Sequence, residues 1–237
     1  MAECLVIAVD GPSGSGKSSA ARGTAQALGL RYLDTGAMYR ALTWWLLAGH
    51  IDIDDPAAVA ARAAGPVIEV STDPDAPSVA VDGADVTGPI RGRPVSNAVS
   101  AVASVPEVRR HLIARQQEII ARACAETRGI VAEGRDIGTV VAPGAAVKVF
   151  LTASQTARAR RRAADLAGDP AATVELTRAE QARRDQLDSP QSERAADAVP
   201  IDSTTLDVAA VVAAIVGLAQ ARLPAEGGHG ARPARRA

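Results

Sequence analysis

The chain has 237 residues, of which 47% are hydrophobic and 22% charged, and its formal net charge is −1. That length suits one domain, or a core with an inserted subdomain, and it is enough to bury a core without a disulfide or metal staple. A balance this near neutrality argues against a general nucleic-acid or membrane-surface binder, whose affinity comes from an excess of Lys and Arg.

At the amino end, Met1-Ala-Glu-Cys4 shows neither a basic region nor a cleavage pattern, and no later run reaches the roughly 20 apolar residues of a membrane span. A soluble cytoplasmic protein is therefore expected, with Cys4 and Cys124 as separate small thiols in a reducing compartment. Leu5-Val-Ile-Ala-Val9 is a continuous apolar run, the pattern of a strand covered on both faces in a parallel sheet. Residues 17–28, rich in alanine and closed by Gly29, predict a helix. Residues 31–33 predict a second strand, and 37–48 a helix in which Trp44 and Trp45 read as core anchors. Asp55-Pro56 is an N-cap and first-turn pair that opens a further helix through Ala64.

The rhythm then changes. Val67–Ser71 and Ser78–Val81 predict an antiparallel hairpin, followed by a third extended piece near 85–87, so residues 65–96 read as a β-containing insert. Pro106 opens a long helix to about Arg128, and strands are predicted at 130–133 and 147–151. Helices follow at 154–168 and 173–187, split by Gly168-Asp-Pro170, then a strand at 199–202 and a helix at 206–223. The polar tail 224–237 is expected to be disordered. Strand–helix alternation of this kind gives an α/β fold with a mainly parallel sheet flanked by helices.

One segment carries chemistry outright. Gly11, Pro12, Ser13, Gly14, Ser15, Gly16, Lys17 and Ser18, followed by Ser19, match G-x-x-x-x-G-K-[ST] after a buried strand and at the mouth of a helix. Glycines let backbone N–H groups turn in around phosphate oxygens, and the helix N-terminus adds a positive dipole end. Lys17 then reaches the β- and γ-phosphates of ATP, while the Ser18 hydroxyl is a ligand for Mg²⁺. Of the 26 basic residues only Lys17 and Lys148 are lysines, so a lysine here marks a need for a compact ammonium. A GTPase would need Asn-Lys-x-Asp, but the single asparagine, Asn97, precedes Ala98. No Leu-Ser-Gly-Gly-Gln segment of an ABC-type ATPase is present. A small-molecule kinase remains, which requires a second substrate site and a mobile cover that excludes water.

Asp10-Gly-Pro-Ser-Gly-Ser-Gly-Lys17, Leu33-Asp-Thr-Gly-Ala-Met-Tyr-Arg40 and Glu133-Gly-Arg-Asp-Ile-Gly-Thr139 together resemble the bacterial cytidylate kinases. Arg183-Arg-Asp-Gln-Leu-Asp-Ser189 and Ile201-Asp-Ser-Thr-Thr205 extend the likeness to about residues 3–222. The resemblance implies a P-loop kinase core in 1–64 and 97–223, a monophosphate-binding insert at 65–96 and a helical lid at about 158–187. It also implies transfer of the ATP γ-phosphoryl group to CMP or dCMP with Mg²⁺. A monomer acting on small molecules, with no nucleic-acid or membrane partner, is expected. A related P-loop kinase with another acceptor, or a nucleotide sensor without turnover, stays open at this stage.

The same resemblance selects the site residues. Cytosine presents an N4 amino donor and acceptors at N3 and O2, which a carboxylate and a guanidinium or hydroxyl can match. Asp136, Arg109 and Ser100 are the residues implied there, with Thr35 nearby. Arg40 and Arg135 are implied for the acceptor phosphate, and Arg184 and Asp188 for phosphate and ribose. Arg158 and Arg162, spaced i, i+4 in the lid, join Lys17 as catalytic candidates because phosphoryl transfer spreads charge that arginines stabilise. Asp34 and Glu133, at strand ends, are candidates to orient magnesium-bound water, whereas His50, His111 and His229 belong to no constellation. The chain departs from the family after Ser189: Gln191 stands where an arginine is expected and the run to Ala195 is shortened. Arg194 is accordingly expected to swing inward and substitute in part; the alternative is that it is a solvated charge and that Arg40, Arg135 and Arg184 suffice.

Overall fold

The computed structural model describes residues 4–165 and 173–222. In chain order its elements are β1 (Leu5–Asp10), α1 (Lys17–Leu28), β2 (Arg31–Asp34), α2 (Thr35–Ala48), α3 (Pro56–Ala60), β3 (Ile68–Val70), β4 (Val79–Val81) and β5 (Ala84–Asp85). There follow α4 (Arg93–Ser104), α5 (Pro106–Glu126), β6 (Gly129–Gly134), β7 (Val147–Thr152), α6 (Gln155–Asp165), α7 (Val174–Asp188), β8 (Val199–Asp202) and α8 (Val208–Gln220). The main sheet has the order β2-β6-β1-β7-β8, and every pairing in it is parallel.

Alternation along the strands sends side chains to two covered faces. Ile7, Val9, Val131, Val149 and Leu151 pack with Ala20, Ala21 and Ala25 of α1 and with Val211 and Ile215 of α8. Ala8, Ile130 and Ala132 face Met38, Leu42 and Leu46 of α2 and Leu112 of α5. Both layers exclude water, which explains the unbroken apolar runs. The carboxyl ends of β1, β2 and β6 carry Asp10, Asp34 and Glu133–Gly134, and this edge is where ligands bind in open parallel sheets.

Residues 68–85 form a separate antiparallel sheet, β3-β4-β5, whose Val79 and Val81, with Val86 and Ile90, pack on Ala37 and Ala41 of α2. Trp44 and Trp45 are half-buried against this cluster rather than central to a core. The Trp45 Nε1–H donates to Asp82 Oδ2 at 3.0 Å.

Several boundaries differ from the sequence expectation. Helix α4 was not predicted, because its buried face is made of Val95, Ala98, Val99 and Val102 spaced among small polar residues. The helix after Asp55 ends at Ala60, and residues 137–141 form a single π-helical turn. The break at Gly168-Asp-Pro170 and the tail 224–237 lie outside the described residues.

The cysteines require a correction. Cys4 and Cys124 are joined in a disulfide, with Cα atoms 5.3 Å apart, and no free cysteine remains among the described residues. Pairing of Leu5 with Gly129 brings the start of β1 beside the end of α5, a proximity that 120 residues of separation conceal. The distance lies inside the normal disulfide range.

Candidate active site

The phosphate-binding loop is shaped by what its neighbours leave no room for. Gly11 has φ 148°, and a Cβ there would sit 2.0 Å from the Leu151 carbonyl oxygen, so β7 approaches too closely for any side chain. Gly16 caps α1 with φ 92°, which turns the chain directly into the helix. Lys17 follows, buried, with Nζ donating to the Pro12 carbonyl at 2.9 Å. Burial, helped by the Arg135 charge, lowers its pKa to about 7, against the opposing pull of Glu133 and Asp10. Asp10 accepts hydrogen bonds from the backbone N–H groups of Ile137 and Gly138, both at 2.8 Å. This carboxylate ties the strand before the loop to the Arg135–Thr139 segment, although burial raises its pKa.

A cavity of about 550 Å³ opens in front of the loop. At one end it is lined by Ser13 to Ser19, and by Ser203 and Leu206 to Val208 of the segment between β8 and α8. At the other end stand Thr35, Arg40, Ser100, Arg109, Arg135, Asp136, Arg184 and Asp188, together with Arg162. These come from α2, α4, α5, α6, α7 and the end of β6. Asp136 accepts from Arg109 Nη2 in a close ion pair. Asp188 accepts from the Ser100 hydroxyl at 2.7 Å and from Arg135 Nε at 3.2 Å. Arg40 Nη1 donates to Ser96 Oγ at 2.9 Å and to the Ile90 carbonyl at 3.1 Å, while Arg162 Nη2 reaches the same Ser96 oxygen at 2.9 Å. The Thr35 hydroxyl donates to the Glu133 carbonyl at 2.7 Å.

The guanidinium groups of Arg40, Arg135, Arg162 and Arg184 thus converge on one region. Burial, then the charges of Arg184 and Arg162, lowers the Arg40 pKa to about 9. Burial and the Arg135 charge lower that of Arg184 to about 10. Such crowding of like charge in a partly desolvated space favours a bound polyanion.

The donor set near the loop suits a hard divalent cation. Asp34 and Glu133 are register partners on adjacent parallel strands, close to Ser18, and all three line the cavity. Glu133 is buried, accepts from the Tyr32 hydroxyl at 2.9 Å, and has its pKa raised by burial and by Asp34. Carboxylate and hydroxyl oxygens beside a phosphate site fit Mg²⁺, which keeps several waters and takes few protein ligands. Asp34 is partly committed elsewhere: Oδ1 caps α2 through Ala37 N at 2.9 Å, and Oδ2 pairs with Arg91 at 3.3 Å.

Some expected residues stand apart. Gly11 and Pro12 shape the loop without lining the cavity. Arg158 is buried behind it, donating to the Ser13 carbonyl at 3.0 Å and pairing with Asp185 at 2.6 Å. Arg194 is exposed and does not line the cavity, so the expected substitution for the missing arginine is not made; Gln191 does line it. Sequence reasoning missed Arg161, which faces the cavity between the two chosen lid arginines, and Ser203, whose motif was quoted without a role.

The family profile described as cytidylate kinase matches residues 7–221. A cytidylate kinase of Streptomyces griseus is 47% identical over 222 residues, covering 92% of this chain and 94% of its own. Another, from Streptomyces coelicolor, is 49% identical over 223 residues, again covering 92% and 94%. Among solved structures, a gluconokinase from Sinorhizobium meliloti superposes with a TM-score of 0.49 at 18% identity, covering 94% of this chain and 95% of its own. With a match that spans the loop, the arginine cluster and the segment after β8, the chain belongs to the cytidylate kinase family and is an ATP-dependent nucleoside monophosphate kinase.

Proposed function

We propose that this chain moves the γ-phosphoryl group of ATP onto the phosphate of CMP or dCMP, with Ser13–Ser19 holding the donor and the arginine cluster holding the acceptor. The observation that carries this reading is a single cavity with a phosphate-binding loop at one end and four convergent guanidinium groups at the other. Residues 65–96 serve as the monophosphate-binding insert, a role supported by Arg40 bonding to Ile90 and Ser96 at the insert's border. The segment 158–187 serves as the lid, since Arg161, Arg162 and Arg184 reach the cavity from it.

Catalysis here is positioning and charge stabilisation, because little covalent work falls to the protein in phosphoryl transfer. Lys17 releases Pro12 and takes the β- and γ-oxygens, whose negative charge restores its protonated form. Arg162, which lines the cavity beside Arg40, stabilises the charge that spreads over the transferring group. Arg40, Arg135 and Arg184 fix the acceptor phosphate and reduce its repulsion for the incoming γ-group. Ser18 and Glu133 would hold Mg²⁺ and its waters, with Asp34 Oδ2 joining them on release of the exposed Arg91. When bound, Mg²⁺ supplies neutralisation of charge on the phosphate oxygens.

Base choice rests on the Arg109–Asp136 pair. The Asp136 carboxylate meets the cytosine N4 amino group, while the Arg109 guanidinium offers donors to the acceptor side of the ring. Uracil would set O4 against the same carboxylate and leave it unsatisfied, which costs about 1–3 kcal/mol in a desolvated site. Release of ADP measured with CMP, dCMP, UMP, AMP and GMP as acceptors tests the reading. CMP and dCMP should stimulate turnover at least tenfold more than the others. A stronger response to any of those three, or none to any acceptor, would overturn it.

A further inference from the structure

Ser203 is 2% exposed, lies in the segment between β8 and α8, and has no place in the mechanism above. Its hydroxyl stands 2.9 Å from the carbonyl oxygen of Ser15, inside the phosphate-binding loop. It also lies 3.0 Å from the Thr152 carbonyl, but that oxygen already accepts the Ser203 backbone N–H at 2.8 Å. Arg161 decides how the hydroxyl is used. Its Nη1 donates to Ser203 Oγ at 3.0 Å and to the Ser15 carbonyl at 3.3 Å, while Nη2 donates to the Ser203 carbonyl at 2.6 Å. The hydroxyl accepts from Arg161 and has one hydrogen to donate, for which the Ser15 carbonyl is the nearer acceptor.

The consequence follows from peptide planarity. A carbonyl and the N–H of the next residue point in opposite directions across a trans peptide. Holding the Ser15 carbonyl outward therefore turns the Gly16 N–H inward, toward the position a phosphate oxygen occupies. Two other loop carbonyls have their own side-chain partners: Pro12 accepts from Lys17 and Ser13 from Arg158. The Ser15 carbonyl is held from two separate elements at once, by the lid helix α6 and by the segment whose Leu206 to Val208 line the cavity. We propose that Ser203, backed by Arg161, is a positioning residue for the ATP phosphates, acting through the Ser15–Gly16 peptide and linking lid, loop and nucleotide wall. The proposal rests on the reading of this loop as the ATP site.

Ser203→Ala is the direct test, read with ATP, CMP and inorganic tripolyphosphate. The KM for ATP should rise about tenfold, the KM for CMP should stay within twofold, and kcat at saturating ATP should fall less than threefold. Calorimetric Kd values for ATP and for tripolyphosphate should weaken by the same factor, because the effect lies on the phosphates and not on the base. Arg161→Lys keeps the charge but cannot span Ser15 and both Ser203 atoms, so it should show the same split at smaller size. Equal loss for ATP and CMP would mean general loosening and would overturn the proposal. Weakened ATP binding with unchanged tripolyphosphate binding would place Ser203 at the base instead, and would also overturn it. Both Kd values are read without an acceptor, so failure of the kinase reading leaves this test intact.

Discussion

The two ends of the cavity are built on opposite principles. The donor end is one contiguous loop whose outward carbonyls are held by Lys17, Arg158, Ser203 and Arg161 before any ligand arrives. The acceptor end gathers guanidinium groups from α2, α6, α7 and the end of β6, and their mutual repulsion is offset only in part by Asp188, Ser96 and backbone oxygens. Backbone dipoles cost no reorganisation when charge develops, whereas clustered like charges store a demand for an anion. Loss of the Lys17 charge at the donor end should therefore damage the chemical step, and loss of a contact that only orients the loop should weaken ATP binding. Substitutions at the acceptor end should damage acceptor binding while relieving the empty protein.

The largest effect belongs to Lys17→Ala. Removing a charge that tracks the moving phosphoryl group should lower kcat by at least about 10²-fold at saturating ATP and CMP. Near wild-type kcat would break the contrast. At the acceptor end, Arg184→Gln removes a charged partner worth about 1.5–3 kcal/mol, so the KM for CMP should rise about 10- to 100-fold. Among the described residues Arg184 Nε has no hydrogen-bond partner, and Nη1 makes a long 3.4 Å contact to Ser13 Oγ. The ligand-free melting temperature should therefore hold or rise by a few degrees. A clear fall in thermal stability would mean that the guanidinium group supports the fold rather than waiting for phosphate.

Legibility in the sequence followed the same division. The loop could be read residue by residue because its chemistry needs particular types at fixed local spacing, and the buried strands because unbroken apolar runs have few other uses. The three-stranded insert was visible in the alternation of Val79 and Val81 and its turn residues. Helix α4 was not, since valines among Ser, Ala and Asn give weak periodicity, and with it went the framework that presents Ser96 and Ser100. Arg161 was passed over because i, i+4 spacing selects one stripe of a helix, while the cavity meets α6 across a broader face. The cysteine pair depends on register between β1 and β6, which no local pattern encodes. The role of Asp10 was hidden for the same reason: its partners, Ile137 and Gly138, lie 127 and 128 residues away.

Specificity sharpens the comparison at a smaller scale. Asp136→Asn replaces a pure acceptor with a group that can also donate toward uracil O4. The ratio of kcat/KM for CMP over UMP should narrow about 5- to 30-fold, in line with one buried hydrogen bond of about 1–2 kcal/mol. Arg109→Met should narrow it similarly. If both variants keep the original ratio, the base is read by other residues.

Protonation separates the ends again. Folding lowers the Lys17 pKa from 10.5 to about 7, so the unfolded chain binds more protons between those values. This group alone makes the ligand-free protein more stable as pH rises through that window. Bound phosphates reverse the preference, so ATP binding at pH 8 should take up close to one proton, and at pH 6 almost none from Lys17. Calorimetry in buffers of different ionisation enthalpy measures the uptake. Its persistence in Lys17→Ala would assign it to another group.

The smallest expected effect concerns the shortened run after Ser189. Gln191 lines the cavity without a charge, and Arg194, three residues on, is exposed and away from it. An exposed charge outside the cavity interacts with a bound phosphate through high-dielectric solvent, and a Debye length of about 8 Å at physiological salt screens most of what remains. Arg194→Ala should leave kcat and the KM for CMP within twofold of the parent. Gln191→Arg, by contrast, adds a fifth guanidinium to the Arg40, Arg135, Arg162 and Arg184 cluster. It should lower the KM for CMP a few-fold and lower the ligand-free melting temperature, because repulsion grows where no anion is yet bound. A tenfold rise in KM from Arg194→Ala would show that the segment folds inward once CMP is present. A Gln191→Arg variant with unaltered KM would show that Arg40, Arg135 and Arg184 already saturate the acceptor phosphate.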